Sequence, residues 1–175
     1  MGKLDVSVYA AIAATPTPTL DIFFRGLSRA ADHSKLWLGA AAAMSTVGGR
    51  RGRRAATDGL TSIAFTSAVV NLFLKPLARR RRPSRDTYGA PVTREVTMPH
   101  STSWPSGHAA SAFAFATAAG SASPWAAVPL TTLAVLVAYS RVHTGVHYRL
   151  DVIAGAVSGV AGPPFAATAA RRVRP

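Results

Sequence analysis

The stretch Ser140–Asp151, SRVHTGVHYRLD, packs two arginines, two histidines and a carboxylate into twelve residues between two apolar runs. The run before it, Trp125–Ser140 (WAAVPLTTLAVLVAYS), and the run after it, Leu150–Ala170 (LDVIAGAVSGVAGPPFAATAA), each approach the roughly 20 apolar residues that cross a bilayer as a helix. Working outward, Asp58–Lys75 (DGLTSIAFTSAVVNLFLK) has the same character, with its charges at its two ends. His108–Ser123 is shorter and rich in small residues, which let helix backbones approach closely in lipid. Leu36–Gly49 is a weaker fifth candidate. These runs predict an all-α, integral-membrane bundle of about five to six helices with a site at one membrane face.

Composition supports a membrane class. The chain of 175 residues is 49% hydrophobic and 15% charged, with a formal net charge of +13. That charge is bunched at Arg50–Arg54, Arg79–Arg85 and Arg171–Arg174, while Val96–Ser140 carries no charged residue at all. Clusters at the ends of apolar blocks mark membrane flanks; a nucleic-acid-binding domain would interleave its cations with the polar faces of a soluble fold, so no nucleic acid is expected as a partner. With no cysteine, disulfide frameworks and thiolate chemistry are excluded. The chain reads as one domain over residues 1–175. In the first 35 residues, Leu20–Ala31 reads as an amphipathic helix lying at the interface. Residues 76–105, a polar segment bounded by Pro76 and Pro105 and interrupted by Pro83, Pro91 and Pro99, read as a long active-site loop.

Three polar clusters end the proposed spans: Lys75–Pro83 (KPLARRRRP), Pro105–His108 (PSGH) and Ser140–Asp151. Counting crossings puts all three on one membrane face. Lys75, Arg82 and Arg141 are cations suited to phosphate oxygens. Ser106 is a candidate N-cap of a helix whose first free N–H groups bind anions, and Gly107 lets backbone approach a ligand. His147 and Asp151, four apart, share one face if helical, and a carboxylate on one imidazole nitrogen leaves the other free to attack. His108 can then protonate a leaving oxygen. Singly, each has an ordinary reading: a polar flank, a snorkelling anchor or a helix cap. A metal on His143 and His147 lacks a carboxylate at ligand spacing. The extra Arg79, Arg80, Arg81 and Arg85 suit either a highly charged head group or anionic membrane lipid, and a non-catalytic lipid-binding protein would use them while leaving the histidines idle.

These residues resemble the type 2 phosphatidic acid phosphatase family, which also includes glucose-6-phosphatase and the vanadium haloperoxidases. Its signature is Lys, six residues, Arg-Pro; then Pro-Ser-Gly-His; then Ser-Arg, five residues, His, three residues, Asp. Lys75, Arg82-Pro83, Pro105–His108, Ser140-Arg141, His147 and Asp151 match it throughout. The resemblance implies a metal- and cofactor-independent lipid phosphatase. His147 would attack phosphorus and form a phosphohistidine, Asp151 would orient it, and His108 would serve as acid and then base. Lys75, Arg82, Arg141, Ser106 and the Gly107 N–H would hold the phosphoryl oxygens. It implies a lipid phosphate as substrate: a polyprenyl pyrophosphate or a decaprenyl-linked phosphoribose phosphate of cell-wall synthesis, with phosphatidic acid or phosphatidylglycerol phosphate as alternatives. A bacterial inner-membrane location with the site outside the cytoplasm is also implied. The basic residues do not select an orientation: apart from Lys75, Arg82 and Arg141, six lie on the site side and seven on the other.

Overall fold

A computed structural model describes residues 3–173, with side chains over 4–166 except at Tyr88; the side chains of Arg171–Arg174 lie outside the described residues. Seven helices are present in that range: α1 (Lys3–Ala14), α2 (Pro18–Ala30), α3 (Lys35–Val47), α4 (Gly49–Ala78), α5 (Gly107–Ala122), α6 (Pro124–His143) and α7 (Arg149–Val173). No strand occurs among the described residues. The central helix is α5, which packs on α4, α6 and α7, while α3 lies against α4 and α2 against α6.

The interior is built from small residues. Ala109, Ala110, Ala112, Ala114, Ala116 and Ala119 of α5 are buried, as are Ala55 and Ala56 of α4. Phe115 and Trp37 fill the remaining space, their ring centroids 5.3 Å apart. Many large apolar residues face outward instead: Leu77 is 81% exposed, and Leu72, Val128, Val157 and Phe165 are exposed as well. A water-soluble protein buries such side chains; a bundle dissolved in lipid packs its small residues inward and presents large ones to the acyl chains. Helices α4 and α6 are long and apolar enough to cross a membrane.

Close helix contact fixes the site's frame. A Cβ on Gly155 would fall 2.4 Å from the Ser106 carbonyl oxygen, and one on Gly159 would fall 2.4 Å from that of Ala110. These two glycines, one turn apart on α7, let it lie directly on the start of α5. The Ser106 N–H donates to the Asp151 carbonyl at 2.9 Å, joining the two helix starts.

One boundary and one helix face differ from the sequence expectation. Helix α4 begins at Gly49, nine residues before Asp58, so Arg50–Arg54 lie on its first turns. Arg and Ala are good helix formers, and an Arg54–Asp58 pair at 3.7 Å extends the helix beyond the apolar run. Helix α2 is amphipathic, but its polar face points inward: Asp21 and Ser28 are buried while Leu20, Ile22 and Phe23 are exposed. It packs on α6 through Phe24, whose ring lies 4.9 Å from Tyr139 and 5.0 Å from His143.

Candidate active site

The start of α7 shapes the first half of the site. Tyr148 precedes the helix, and Asp151, three residues on, accepts the Tyr148 N–H at 3.0 Å through Oδ2. This is the returning half of a capping box, with the carboxylate at a favourable helix N-terminus. His147 is not on the helix, as the four-residue spacing suggested, but in the turn ahead of it. That turn is held by Arg141, whose carbonyl accepts from both Val146 N and His147 N at 3.1 Å, and it reverses at Gly145 with φ +68°. The left-handed conformation favours glycine there, and a Cβ would meet the Tyr9 hydroxyl at 2.7 Å.

His147 and Asp151 still meet. His147 Nδ1 lies 3.7 Å from Asp151 Oδ2, with Ser103 Oγ 3.4 Å from the same ring nitrogen and donating to the same carboxylate oxygen. On the other edge, Arg82 Nη1 lies 3.1 Å from His147 Nε2. A guanidinium only donates, so Nε2 carries a lone pair and Nδ1 the proton. Burial pushes the His147 imidazole down to about 4, against the Asp151 carboxylate, which favours its charged form. The ring is therefore neutral at neutral pH, with its lone pair toward the cations.

The cations converge from different elements. Arg82 is held by the carbonyls of Ser101 at 2.9 Å and Val146 at 3.0 Å. Lys75 Nζ and Arg82 Nη2 both donate to Ser101 Oγ, each at 3.2 Å. Lys75 Nζ lies 3.7 Å from where a Cβ on Gly107 would stand, an ordinary contact that places the ammonium at the α5 start. Ser106 accepts from Ala109 N at 3.4 Å and is fully buried; what it offers an anion is the capped helix start. Arg141, 1% exposed, donates to the Ser28 hydroxyl and lies 3.6 Å from Asp32, while its buried Nε has no hydrogen-bond partner among the described residues. Its charge reaches both His108 and His147. His108 Nε2 lies 2.9 Å from Asp32 Oδ1. His143 turns away to Asp21 at 2.9 Å.

Ser101, Ser103 and Arg94 were not identified as contributors from sequence, and Arg80 and Arg85 were read there only as head-group or lipid cations. Ser101 and Ser103 stand just ahead of PSGH in the run HSTSWPSGH, a hydroxyl-rich approach that could have marked them. Arg80 spans Asp5 of α1 and Asp151, donating to Asp151 Oδ1 at 2.8 Å and stacking 4.6 Å over the Tyr148 ring. Arg85 donates to the Thr144 carbonyl at 2.9 Å and to that of Val96 at 2.9 Å. Both are structural ties rather than free headgroup cations, whereas Arg79 and Arg81 are exposed. Arg94, also buried, joins Asp21 at 2.7 Å to the Ile12 carbonyl at 2.6 Å, pinning the α1–α2 corner to the loop. Removing one partner of a buried ion pair leaves an uncompensated charge, typically costing about 3–5 kcal/mol. Arg80→Ala removes the cation shared by two buried carboxylates, leaving Asp5 with Arg149 at 3.6 Å and Asp151 with no paired arginine among the described residues, so thermal unfolding in detergent is expected at a clearly lower temperature; an unchanged midpoint would contradict the tie.

A phosphatase-like cradle of this composition has relatives. The PAP2 superfamily profile matches residues 55–172, two thirds of the chain and every residue of the three clusters. The chain belongs to the PAP2 superfamily. It is 32% identical over 159 residues to the decaprenylphosphoryl-5-phosphoribose phosphatase of Mycobacterium tuberculosis, covering 90% of this chain and 85% of the relative. The enzyme of that name from Mycolicibacterium smegmatis is 34% identical over 153 residues, covering 86% and 78%. Among solved structures, Aquifex aeolicus LpxE superposes with a TM-score of 0.72 at 24% identity, covering 94% of this chain and 95% of its own. The transmembrane PAP2-type phosphatidylglycerolphosphate phosphatase of Bacillus subtilis gives 0.69 at 23% identity, covering 98% and 86%. This PAP2 protein is thus an all-helical membrane enzyme, a phosphatase acting on lipid phosphates, and not an idle lipid-binding scaffold.

Proposed function

We propose that the enzyme removes the terminal phosphate of decaprenylphosphoryl-5-phosphoribose by covalent catalysis at His147. The observation that carries the mechanism is the His147 ring, neutral and oriented, with Nε2 facing a guanidinium that marks where a phosphoryl oxygen sits. Nε2 attacks phosphorus as the P–O bond to the leaving alkoxide breaks, and His108 supplies the proton that the alkoxide takes. His108, now neutral, removes a proton from water as the water oxygen displaces Nε2, releasing phosphate. Asp151 holds the Nδ1 proton and balances the charge that develops on the ring. Lys75, Arg82, the free Nε of Arg141 and the α5 start with Gly107 bind the phosphoryl oxygens, Ser106 acting through its cap. No step requires a metal. The substrate class rests on relatives of that name aligned along most of the chain. The exposed apolar residues suit a lipid tail in the bilayer with its head group entering at the membrane face; the setting proposed for it is the bacterial inner membrane, with the site outside the cytoplasm.

The test is a panel of decaprenylphosphoryl-5-phosphoribose, polyprenyl pyrophosphate, phosphatidic acid and phosphatidylglycerol phosphate, each in detergent with a chelator present. The first should give the highest kcat/KM, with turnover insensitive to the chelator. A preference for either glycerolipid would overturn the substrate assignment, and loss of turnover on chelation would overturn the metal-free mechanism.

A pH dependence follows from the burial of His147. Its folded pKa is lowered, so the attacking lone pair is available well below the usual histidine range and is lost as pH falls through about 4. The acidic limb of kcat/KM, after correction for ionisation of the substrate phosphate, should therefore fall near pH 4. A limb at the ordinary histidine value of about 6.5 would contradict this environment.

A further inference from the structure

We propose that Asp32 is a positioning residue for the acid–base imidazole, forming with His108 a second carboxylate–imidazole pair opposite His147–Asp151. This rests on the role given to His108 above. Asp32 opens a single 3₁₀ turn, Asp32–Ser34, between α2 and α3. The next two residues, His33 (φ 55°) and Ser34 (φ 60°), both lie in the left-handed region although neither is glycine. Such backbone persists only where its surroundings over-determine it, and it gathers at functional sites. Here it carries the carboxylate to the α5 start, where Oδ1 lies 2.9 Å from His108 Nε2 and 3.6 Å from Arg141 Nη1. The side chain is 35% exposed, so it borders the opening of the site and is not a packed core acid.

The charges around His108 give the pair its purpose. Arg141, 3.6 Å from Asp32, and Lys75, beside Gly107, bring two cations to this side of the site, and Asp32 is the carboxylate at the His108 ring among the described residues. Asp32 itself faces Arg141 and His33, and its hydrogen bond with His108 holds its carboxyl below the usual carboxylate range. A phosphate cradle needs cations, and a general acid beside those cations needs an anion to keep its proton. Asp32 supplies it. In the first step the proton passes from His108 to the leaving alkoxide; in the second, His108 takes a proton from water, and Asp32 stabilises the imidazolium that re-forms. Asp32 stays ionised throughout.

The test compares wild type with Asp32→Asn and Asp32→Glu on a lipid alkyl phosphate and on p-nitrophenyl phosphate. Loss of a positioned acid–base costs about 10²–10⁴-fold; loss of its orienting partner should cost less, about 10–10²-fold in kcat/KM on the lipid. The alkaline limb of that profile should move to lower pH, and Asp32→Glu should restore part of the rate. The defect should shrink on p-nitrophenyl phosphate, whose phenolate leaves without a proton. Equal losses on both substrates with an unmoved limb would overturn the proposal. So would a gain in kcat/KM with tighter vanadate inhibition, the mark of a carboxylate that only fills the empty anion cradle. His108→Ala separates the two levels: if that variant keeps the alkaline limb, the role of His108 falls; if it loses the limb and Asp32→Asn keeps it, only the Asp32 pairing falls. Should Asp32→Asn not fold, Asp32→Ser carries the same comparison.

Discussion

Replacing His147 with alanine should lower kcat on a lipid phosphate by about 10⁴-fold or more, leaving no phosphorylated enzyme. The ring is 2% exposed and touches Arg82, Ser103 and Asp151, so no neighbour can take its place as a nucleophile. His143, four residues earlier, is bound to Asp21 and packed against Phe24. The cations stay in place, because Arg82 is fixed by the Ser101 and Val146 carbonyls and not by the imidazole alone. Vanadate or phosphate should therefore still bind. Residual turnover above about one per cent, with the fold intact, would mean that a water molecule attacks directly.

Asp151→Asn should be the next most damaging change, lowering kcat by about 10²–10⁴-fold with a smaller effect on KM. All the neighbours of this carboxylate are donors: Arg80 on Oδ1, and Ser103 and the Tyr148 N–H on Oδ2, with His147 Nδ1 alongside. An amide must turn its NH₂ toward one side, where it meets a donor. Either Arg80 loses an acceptor or the Ser103–Tyr148 side does. The Nδ1 proton of His147 also loses its charged partner, so the tautomer with Nε2 blocked becomes accessible. Lys75, Arg82 and Arg141 are untouched, which is why binding should survive. Steady-state kinetics over a range of lipid phosphate concentration separates the two effects, and a kcat within a few-fold of wild type would contradict the assignment.

The residues that share a short spacing were legible from sequence; those that meet across the fold were not. Lys75 with Arg82, PSGH, and Arg141 with His147 and Asp151 each lie within a few turns of one another, so spacing and the count of crossings brought them to one face. The structure joins them through Ser101 and the Asp151–Ser106 backbone bond. Asp5 and Asp32 lie in other elements, Arg80 was read only as a head-group or lipid cation, and no local period connects Asp5 to a carboxylate on the last helix. Their signal was scarcity: with only seven acidic residues in the chain, burial of Asp5, Asp21 and Asp151 demands cations, and Arg80 and Arg94 supply them. Helix α2 was legible as amphipathic, but which face turns inward depends on the solvent outside. In lipid the apolar face goes out, and Asp21 and Ser28 turn inward to meet Arg94 and Arg141. The early start of α4 escaped because a hydropathy reading ends where arginines begin, whereas helix propensity does not.

The most direct test of the convergence of both imidazoles and the cations on one phosphorus is to quench the working enzyme in alkaline detergent with lipid substrate carrying radiolabelled phosphate. The protein-bound label is then recovered and mapped. A phosphoramidate, stable to base and labile to acid, on His147 alone is the predicted result. Label on another residue, or rapid turnover with none on His147, would contradict the account.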